Sequence, residues 1–380
     1  MALKTQIPRR KATLKWISPC SCMSSAVSVM SGWASNSYVR SLSVSTHGDM
    51  SIWVCTALHL PVAYAAGSRE GTETMKFLFQ MPHTMRLKAL TQPWECSVTG
   101  ADQIQMARRA EELGYEMITV PEHFIVPSAL KELSGPHYFH STVAQGAFAG
   151  ATRHIRVNSS ATLLPLQHPI ILAKALSTAD WMSGGRITVT FGVGWEPEEF
   201  KILGVPFHER GRIADEYLAA IIELWTSDSP TFAGKYVSFA DVVFEPKPVQ
   251  RPHLPIWIGG DASASLRRAA QFGSGWIPFL TQPEEIPAKV EYIKSQPAFS
   301  DRPFEVCYSL GTSLIGKGHT VRDDPAQRPG MQAEEIIDAL GGFSELGVTM
   351  TSVPIPPVPG VSAYLDYAQW VIETVKPNVP

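Results

Sequence analysis

Three short segments of the 380-residue chain gather residue types able to do chemistry. The first is Pro121-Glu122-His123-Phe124, an acid beside an imidazole. Histidine is the side chain whose ordinary pKa best suits proton transfer near neutrality. Glu122 and His123 are therefore candidate acid–base residues, with a plain loop histidine as the alternative. The second segment is Phe191-Gly192-Val193-Gly194-Trp195-Glu196-Pro197. Its glycines allow a flat ligand to approach the backbone closely. It is no dinucleotide fingerprint, because Pro197 stands where the third glycine belongs. A tight turn with Trp195 packed against it is the alternative. The third segment is Ile258-Gly259-Gly260-Asp261-Ala262-Ser263. Two residues without Cβ, followed by the free amides of a helix start, make an anion site to which Ser263 adds a hydroxyl. The alternative is a capped helix with Asp261 or Ser263 as N-cap, and Asp261 would repel a phosphate.

Other chemistries lack their signatures. There is no His-Glu-x-x-His, no Cys-x-x-Cys pair, no Gly-x-Ser-x-Gly and no Walker loop. A glycosidase using Glu122 with Glu196 or Glu198 stays open, since only their separation in space decides it. The five cysteines form neither a disulfide framework nor a metal spacing, which points to a reducing compartment, the cytoplasm, and to no metal. A formal net charge of −3 gives no electrostatic footprint for nucleic acid. No apolar run reaches the roughly 18 residues of a membrane span.

The elements that must position these segments begin at Met75. Lys76–Met81 reads as a strand stopped by Pro82, and Ala101–Leu113 as a helix closed by Gly114. Strands follow at Met117–Val120, Ile155–Leu164, Arg186–Val193, Ile256–Ile258, Trp276–Ile277, Phe304–Leu310 and Val348–Val353. Helices are predicted near Ser141–Ala151, Ile170–Met182, His208–Trp225, Ala262–Phe272, Ala333–Leu346 and Ala363–Val375. Thr231–Phe244 reads as a hairpin insertion. Buried strands alternating with amphipathic helices imply parallel units. A doubly wound sheet is the alternative, but eight units in about 300 residues favour a closed (β/α)8 TIM barrel, whose sites lie after the strands' C-terminal ends. All three segments fall there.

Residues 1–74 differ. Residues 1–50 are serine-rich, hold no glutamate, and carry scattered bases with no persisting helical or strand period. An upstream extension, a mis-assigned start with the working domain at 75–380, is the expectation. A disordered extension, an export segment built on Arg9-Arg10 and Ala63-Tyr64-Ala65, and, with the least support from the apolar pattern, a folded N-terminal element are the other readings.

The ordered set Leu164-Pro165-Leu166-Gln167-His168-Pro169, Ser183-Gly184-Gly185-Arg186, Gly192-Val193-Gly194-Trp195, Pro206-Phe207-His208-Glu209-Arg210-Gly211-Arg212 and Pro255-Ile256-Trp257-Ile258-Gly259-Gly260 resembles the luciferase-like monooxygenase family. It is most similar to the branch using coenzyme F420, an 8-hydroxy-5-deazaflavin. The resemblance implies a bacterial luciferase-like barrel, a homodimer, a small-molecule substrate, and hydride transfer between F420 and an organic compound. It also implies a non-proline cis peptide at Ser160-Ala161 behind the ring. Glu122 and His123 match an acid–histidine pair near the reactive carbon, and Glu196 lies near a second proton donor. Ser160, Ala161, Gly194, Trp195, Gly259, Gly260 and Ser263 are the expected cofactor contacts. An FMN-dependent monooxygenase and a catalytically silent flavin-binding barrel are the alternatives.

Overall fold

The computed structural model describes residues 27–34, 37–44, 74–87, 90–311 and 330–379. The chain divides into two units, Met1–Gly71 and Thr72–Pro380. In the first, Val27–Ala34 and Ser37–Val44 pair as an antiparallel hairpin. The sequence pattern predicts no strand there. Valines at 27, 29, 39 and 44 supply strand propensity even without a clean alternation. The expected extension's remaining residues, the Arg9-Arg10 pair and the Ala63-Tyr64-Ala65 step among them, lie outside the described residues.

The second unit is an eight-stranded parallel sheet wrapped into a nearly closed barrel. Its strands are β1 (Lys76–Gln80), β2 (Met117–Val120), β3 (Arg156–Leu163), β4 (Ile187–Gly192), β5 (Ile256–Gly259), β6 (Gly275–Ile277), β7 (Glu305–Val306) and β8 (Met350–Thr351). They run in the order β7-β6-β5-β4-β3-β2-β1-β8. Closure between β7 and β8 comes through single bonds, Tyr308 N–H to Met350 O at 3.0 Å and Leu310 N–H to Ser352 O at 3.1 Å. The outer helices are α1 (Gly100–Leu113), α2 (Ser141–Ala151), α3 (Pro169–Ser183), α4 (Arg210–Thr226), α5 (Ser263–Phe272), α6 (Ile286–Lys294), α7 (Ala333–Glu345) and α8 (Val361–Trp370).

Two differences from the sequence expectation have local causes. Helix α6 is absent from the elements predicted above, and its start holds two prolines, Pro283 and Pro287. Both stand at helix starts, where a missing N–H costs nothing. The seventh and eighth strands are shorter than their apolar runs, since pairing there thins to isolated bonds.

Inward-facing residues alternate along each strand and stack in layers. The lowest layer is ionic. Arg156 forms a fork onto Glu305 at 3.1 and 3.0 Å, Lys76 reaches the same carboxylate at 3.3 Å, and the guanidinium lies over Trp257. Above it, Leu78, Met117, Trp257, Cys307 and Met350 form an apolar plug. The barrel is thereby filled from below, and the cavity formed by the described residues opens at the C-terminal face.

The ionic layer has a measurable consequence. Burial pushes the Glu305 carboxyl up, but the Arg156 and Lys76 charges outweigh it and hold it below the usual range. Its contribution is therefore present above the unfolded pKa near 4.3 and is lost as pH falls through the lower folded value. Glu305→Ala is expected to cost about 3–5 kcal/mol in urea unfolding at pH 7, because Arg156 loses its main partner while buried. The gap between parent and variant should narrow in acid; an equal gap at pH 7 and pH 3 would contradict the assignment.

Candidate active site

The C-terminal strand ends open onto a cavity of about 570 Å³. Its floor is made of the last inward residues of the strands, among them Gln80, Thr119, Ser160, Ile277 and Ser309. Gln80 Nε2 donates to Ser352 Oγ at 2.9 Å, and Ser352 Oγ donates to Ser309 Oγ at 2.7 Å. Thr119 Oγ1 is buried there without a partner among the described residues. Cys307 also lines the cavity, but burial pushes its thiol up to about 12, so it is unreactive near neutrality.

Of the sequence-derived candidates, Ser160 lines this cavity directly. The Ser160–Ala161 peptide is cis, as the family resemblance implies, and the β3–β4 register slips between Ser160 and Thr162. The bulge pushes Ala161 toward the neighbouring strands. A Cβ on Gly192 would meet the Ala161 methyl at 3.1 Å, and one on Gly259 at 3.7 Å. These two glycines make room for the bulge.

Glu122 and His123 are adjacent in sequence but have different surroundings. Glu122 is buried and turned inward. One oxygen accepts from Ser141 N–H at 3.0 Å and Ser141 Oγ at 2.8 Å. The other accepts from Leu163 N–H at 3.0 Å and Gln167 Nε2 at 2.9 Å. Burial pushes its carboxyl up, while these donated bonds and nearby His140 pull it back. With every donor aimed at it, the carboxylate form is the one the site satisfies. Glu122 ties β2 to the start of α2 and the end of β3.

His123 Nδ1 lies 2.8 Å from Glu199 Oε2. Glu199 is fully buried, and its other oxygen accepts from the amides of Phe124 at 2.8 Å and Ile125 at 3.3 Å. A carboxylate facing Nδ1 makes that nitrogen the donor. Nε2 is then the ring atom where a proton can be held or released. His123 does not line the 570 Å³ cavity; with Trp195 and Glu196 it borders a separate small recess. Tyr138 and Trp195 contact the imidazole edge-on, with centroids 4.7 and 6.0 Å away. Sequence reasoning missed Glu199. The signal was a glutamate three residues after Glu196 and beside Phe200, at helical spacing from the turn start. Glu196 itself accepts from Glu198 N–H at 3.0 Å and caps the short helix Pro197–Ile202.

The glycine-rich turns serve packing more than ligand approach. Gly194 has φ +76°, and a Cβ there would meet the Phe200 ring at 2.6 Å, so Phe200 fills the space expected for a flat ligand. Gly260 has φ +116°; its N–H donates to Ile277 O at 3.0 Å and its carbonyl accepts from Trp276 Nε1 at 2.8 Å. That amide is committed within the barrel wall and has none left for an anion. Asp261 is not an N-cap. It accepts from the amides of Phe279, Leu280 and Thr281 and so fixes the loop after β6. The amides of Ser263 and Ala264 precede the first intrahelical bond of α5 and are the donors that remain at this turn.

A second histidine, overlooked in the sequence, lies on the cavity wall. His83 follows β1, just past the proline that ends the strand, where the rule of strand C-terminal ends would have placed it. Glu95, also in the wall, accepts from its amide at 2.7 Å.

Fold and site together place the chain in a known class. It belongs to the luciferase-like monooxygenase family, whose profile matches residues 75–327. An uncharacterised protein of Mycobacterium tuberculosis is 30% identical over 264 residues, covering 66% of this chain and 86% of its own. The FMNH(2)-dependent dimethylsulfone monooxygenase of Pseudomonas putida is 31% identical over 198 residues, covering 51% of this chain and 53% of its own. Among solved structures, an F420-dependent secondary alcohol dehydrogenase superposes with a TM-score of 0.61 at 17% identity, covering 81% of this chain and 99% of its own. Among the described residues no helix is long and apolar enough to cross a membrane, and no cluster of His, Cys, Asp and Glu could hold a metal.

The Glu122 brace predicts a specific defect. In Glu122→Gln, an amide NH2 must face the donors that the carboxylate satisfied. A loss of about 1–3 kcal/mol is expected in thermal or urea unfolding. Stability equal to the parent's would show that the brace is dispensable.

Proposed function

We infer that this chain is an oxidoreductase transferring a hydride between coenzyme F420 and a small organic substrate. The observation that carries the reading is His123, an imidazole fixed by buried Glu199 on the C-terminal rim of the barrel. The site fits a deazaflavin or flavin ring. A volume near 570 Å³ falls in the range of about 300–1,000 Å³ typical of cofactor sites. Ser160 on the floor offers a polar contact to a ring. Ser263 and Ala264 at the start of α5 would hold the anionic end. When bound, the cofactor supplies the two-electron chemistry. The chain's own part is orientation, exclusion of water and proton handling. His123 holds or moves the proton at Nε2, and Glu199 keeps Nδ1–H pointed away from the exchange.

A second reading is an FMN-dependent monooxygenase, which the 31% identity to the Pseudomonas putida enzyme favours. Isothermal titration of the full chain with each cofactor separates the two. Micromolar or tighter binding of F420, with weaker FMN, is expected; micromolar FMN with no measurable F420 would sink the first reading. With the right cofactor in place, His123→Asn should lower turnover about 10²–10⁴-fold while leaving cofactor affinity nearly unchanged.

The chain is also proposed to act as a homodimer through α2 and α3. On α2 the outward stripe is Val143, Gly146, Ala147 and Gly150, with no polar residue in it. On α3 it includes Ile171, Trp181 and Met182, the last 77% exposed. Exposed large apolar side chains on two helices packed side by side suit an interface, although Lys174 and Thr178 interrupt the α3 stripe. Sedimentation should give twice the chain mass for the parent and a shift toward one chain mass for Trp181→Glu; a monomeric parent would end this proposal.

A further inference from the structure

The bond between His123 Nδ1 and Glu199 fixes one atom of the imidazole. A side chain tethered at its Cβ and held at one ring atom can still tilt about the line joining them. Nε2 lies off that line, so its place depends on what sets the tilt. Two rings do so. Tyr138 meets the imidazole with centroids 4.7 Å apart and planes at 70°, and Trp195 lies at 6.0 Å and 84°. Edge-to-face contact is an arrangement that aromatic rings favour.

Tyr138, the nearer ring, is itself held from three sides. Its backbone is paired with the cavity wall. Arg86 N–H donates to His137 O at 2.9 Å and Phe139 N–H donates to Thr84 O at 3.0 Å, which leaves Met85 and Tyr138 directly opposed in an antiparallel bridge. In a pair flanked in this way the two Cα atoms approach most closely and the side chains share one face. Gly135 brings the same two segments into direct contact, because at its φ of +71° a Cβ would overlap the Arg86 carbonyl oxygen. The phenol end is the second hold. Tyr138 OH donates to the carbonyl of buried Ser134 at 2.7 Å. Burial, then the Glu199 charge, push the phenol pKa up, so the group stays an O–H donor near neutrality. The third hold is the imidazole.

This placement links two parts of the site. Met85, with His83 and Thr84 before it, lines the cavity, whereas His123 borders the recess beside it. Tyr138 is paired with the first through its backbone and meets the second through its ring. A tyrosine so anchored transmits the position of the cavity wall to the imidazole.

We propose that Tyr138 is the positioning residue of His123: its ring sets the tilt of the imidazole and so the place of Nε2. The proposal deepens the oxidoreductase reading and rests on it for the proton that Nε2 carries; the tilt itself needs no cofactor.

Proton NMR of the full, cofactor-free chain carrying isotope-labelled histidine reads the ring directly. An Nδ1–H held on a buried carboxylate exchanges slowly with water and gives a signal downfield of the amides. His123→Asn identifies that signal by its loss. Tyr138→Leu keeps an apolar side chain and removes the ring, and its Nδ1–H should exchange about 10-fold faster than the parent's. Tyr138→Phe keeps the ring and loses only the bond to Ser134, and it should restore the parent's rate to within about 2-fold. Amides of α6, across the barrel, should keep the parent's rates in every variant. Tyr138→Met repeats the ring deletion with a differently shaped side chain, so poor folding of the leucine variant does not stop the test. Exchange in Tyr138→Leu equal to the parent's would overturn the proposal, and so would a phenylalanine variant as fast as the leucine one. A parent with no such signal, or a rise shared by the α6 amides, which marks general loosening, would overturn it as well. The spectra are of cofactor-free protein, so a failed F420 titration leaves this result standing, and a result against Tyr138 leaves the F420 reading standing.

Discussion

One buried carboxylate organises the functional end of this barrel. Glu122 takes hydrogen bonds from the start of α2, from the end of β3 and from Gln167 beyond it. Of these donors, the buried amides of Ser141 and Leu163 would otherwise lie unpaired, at about 1–3 kcal/mol apiece. The negative charge also sits at the N-terminus of α2, where the helix dipole favours it. Because Glu122 is anchored, the next residue in the chain emerges on the rim in a fixed place, and that residue is His123. Because Leu163 is anchored, the strand carrying the Ser160–Ala161 bulge ends at a fixed height. The imidazole and the cavity floor are thus registered to each other by a group that does not itself line the cavity.

The same division of labour recurs around the site. Glu199 holds His123, Glu95 and His137 hold His83, and Asp261 holds the loop after β6. The three acids, Glu199, Glu95 and Asp261, accept backbone amides that the strand ends leave over, as a barrel rim made of loops requires. The barrel below is closed to solvent chemistry by its ionic layer and by the Leu78–Met117–Trp257 plug. The face above that plug is supported by carboxylates whose hydrogen bonds are already complete.

Much of the fold was legible in the sequence. The first six strands are buried runs ended by proline or glycine, and Gly114 marks the end of α1 by its left-handed backbone. Helix α6 was hidden because prolines at a helix start look like prolines that break one. The site was legible in position and less so in role. The motif after β2 marks the rim, yet nothing in Pro121-Glu122-His123 says that the acid turns inward and the base is paired with Glu199, 76 residues on. That pairing depends on the short helix Pro197–Ile202 folding back, a tertiary event. Glycine spacing misled for a related reason. A glycine that admits a ligand and one that admits Phe200 are alike in sequence, and Gly260 spends its amide on Ile277 in a neighbouring strand that the local pattern does not reveal.

A crystal structure of the full chain grown with F420 bears on all of this at once. The deazaflavin ring should lie in the cavity above Ser160, in contact with Thr119, with His123 at the same end of the barrel. A ring bound anywhere outside that cavity, or an F420-saturated crystal with the cavity still empty, would contradict the assignment of this face as the catalytic one.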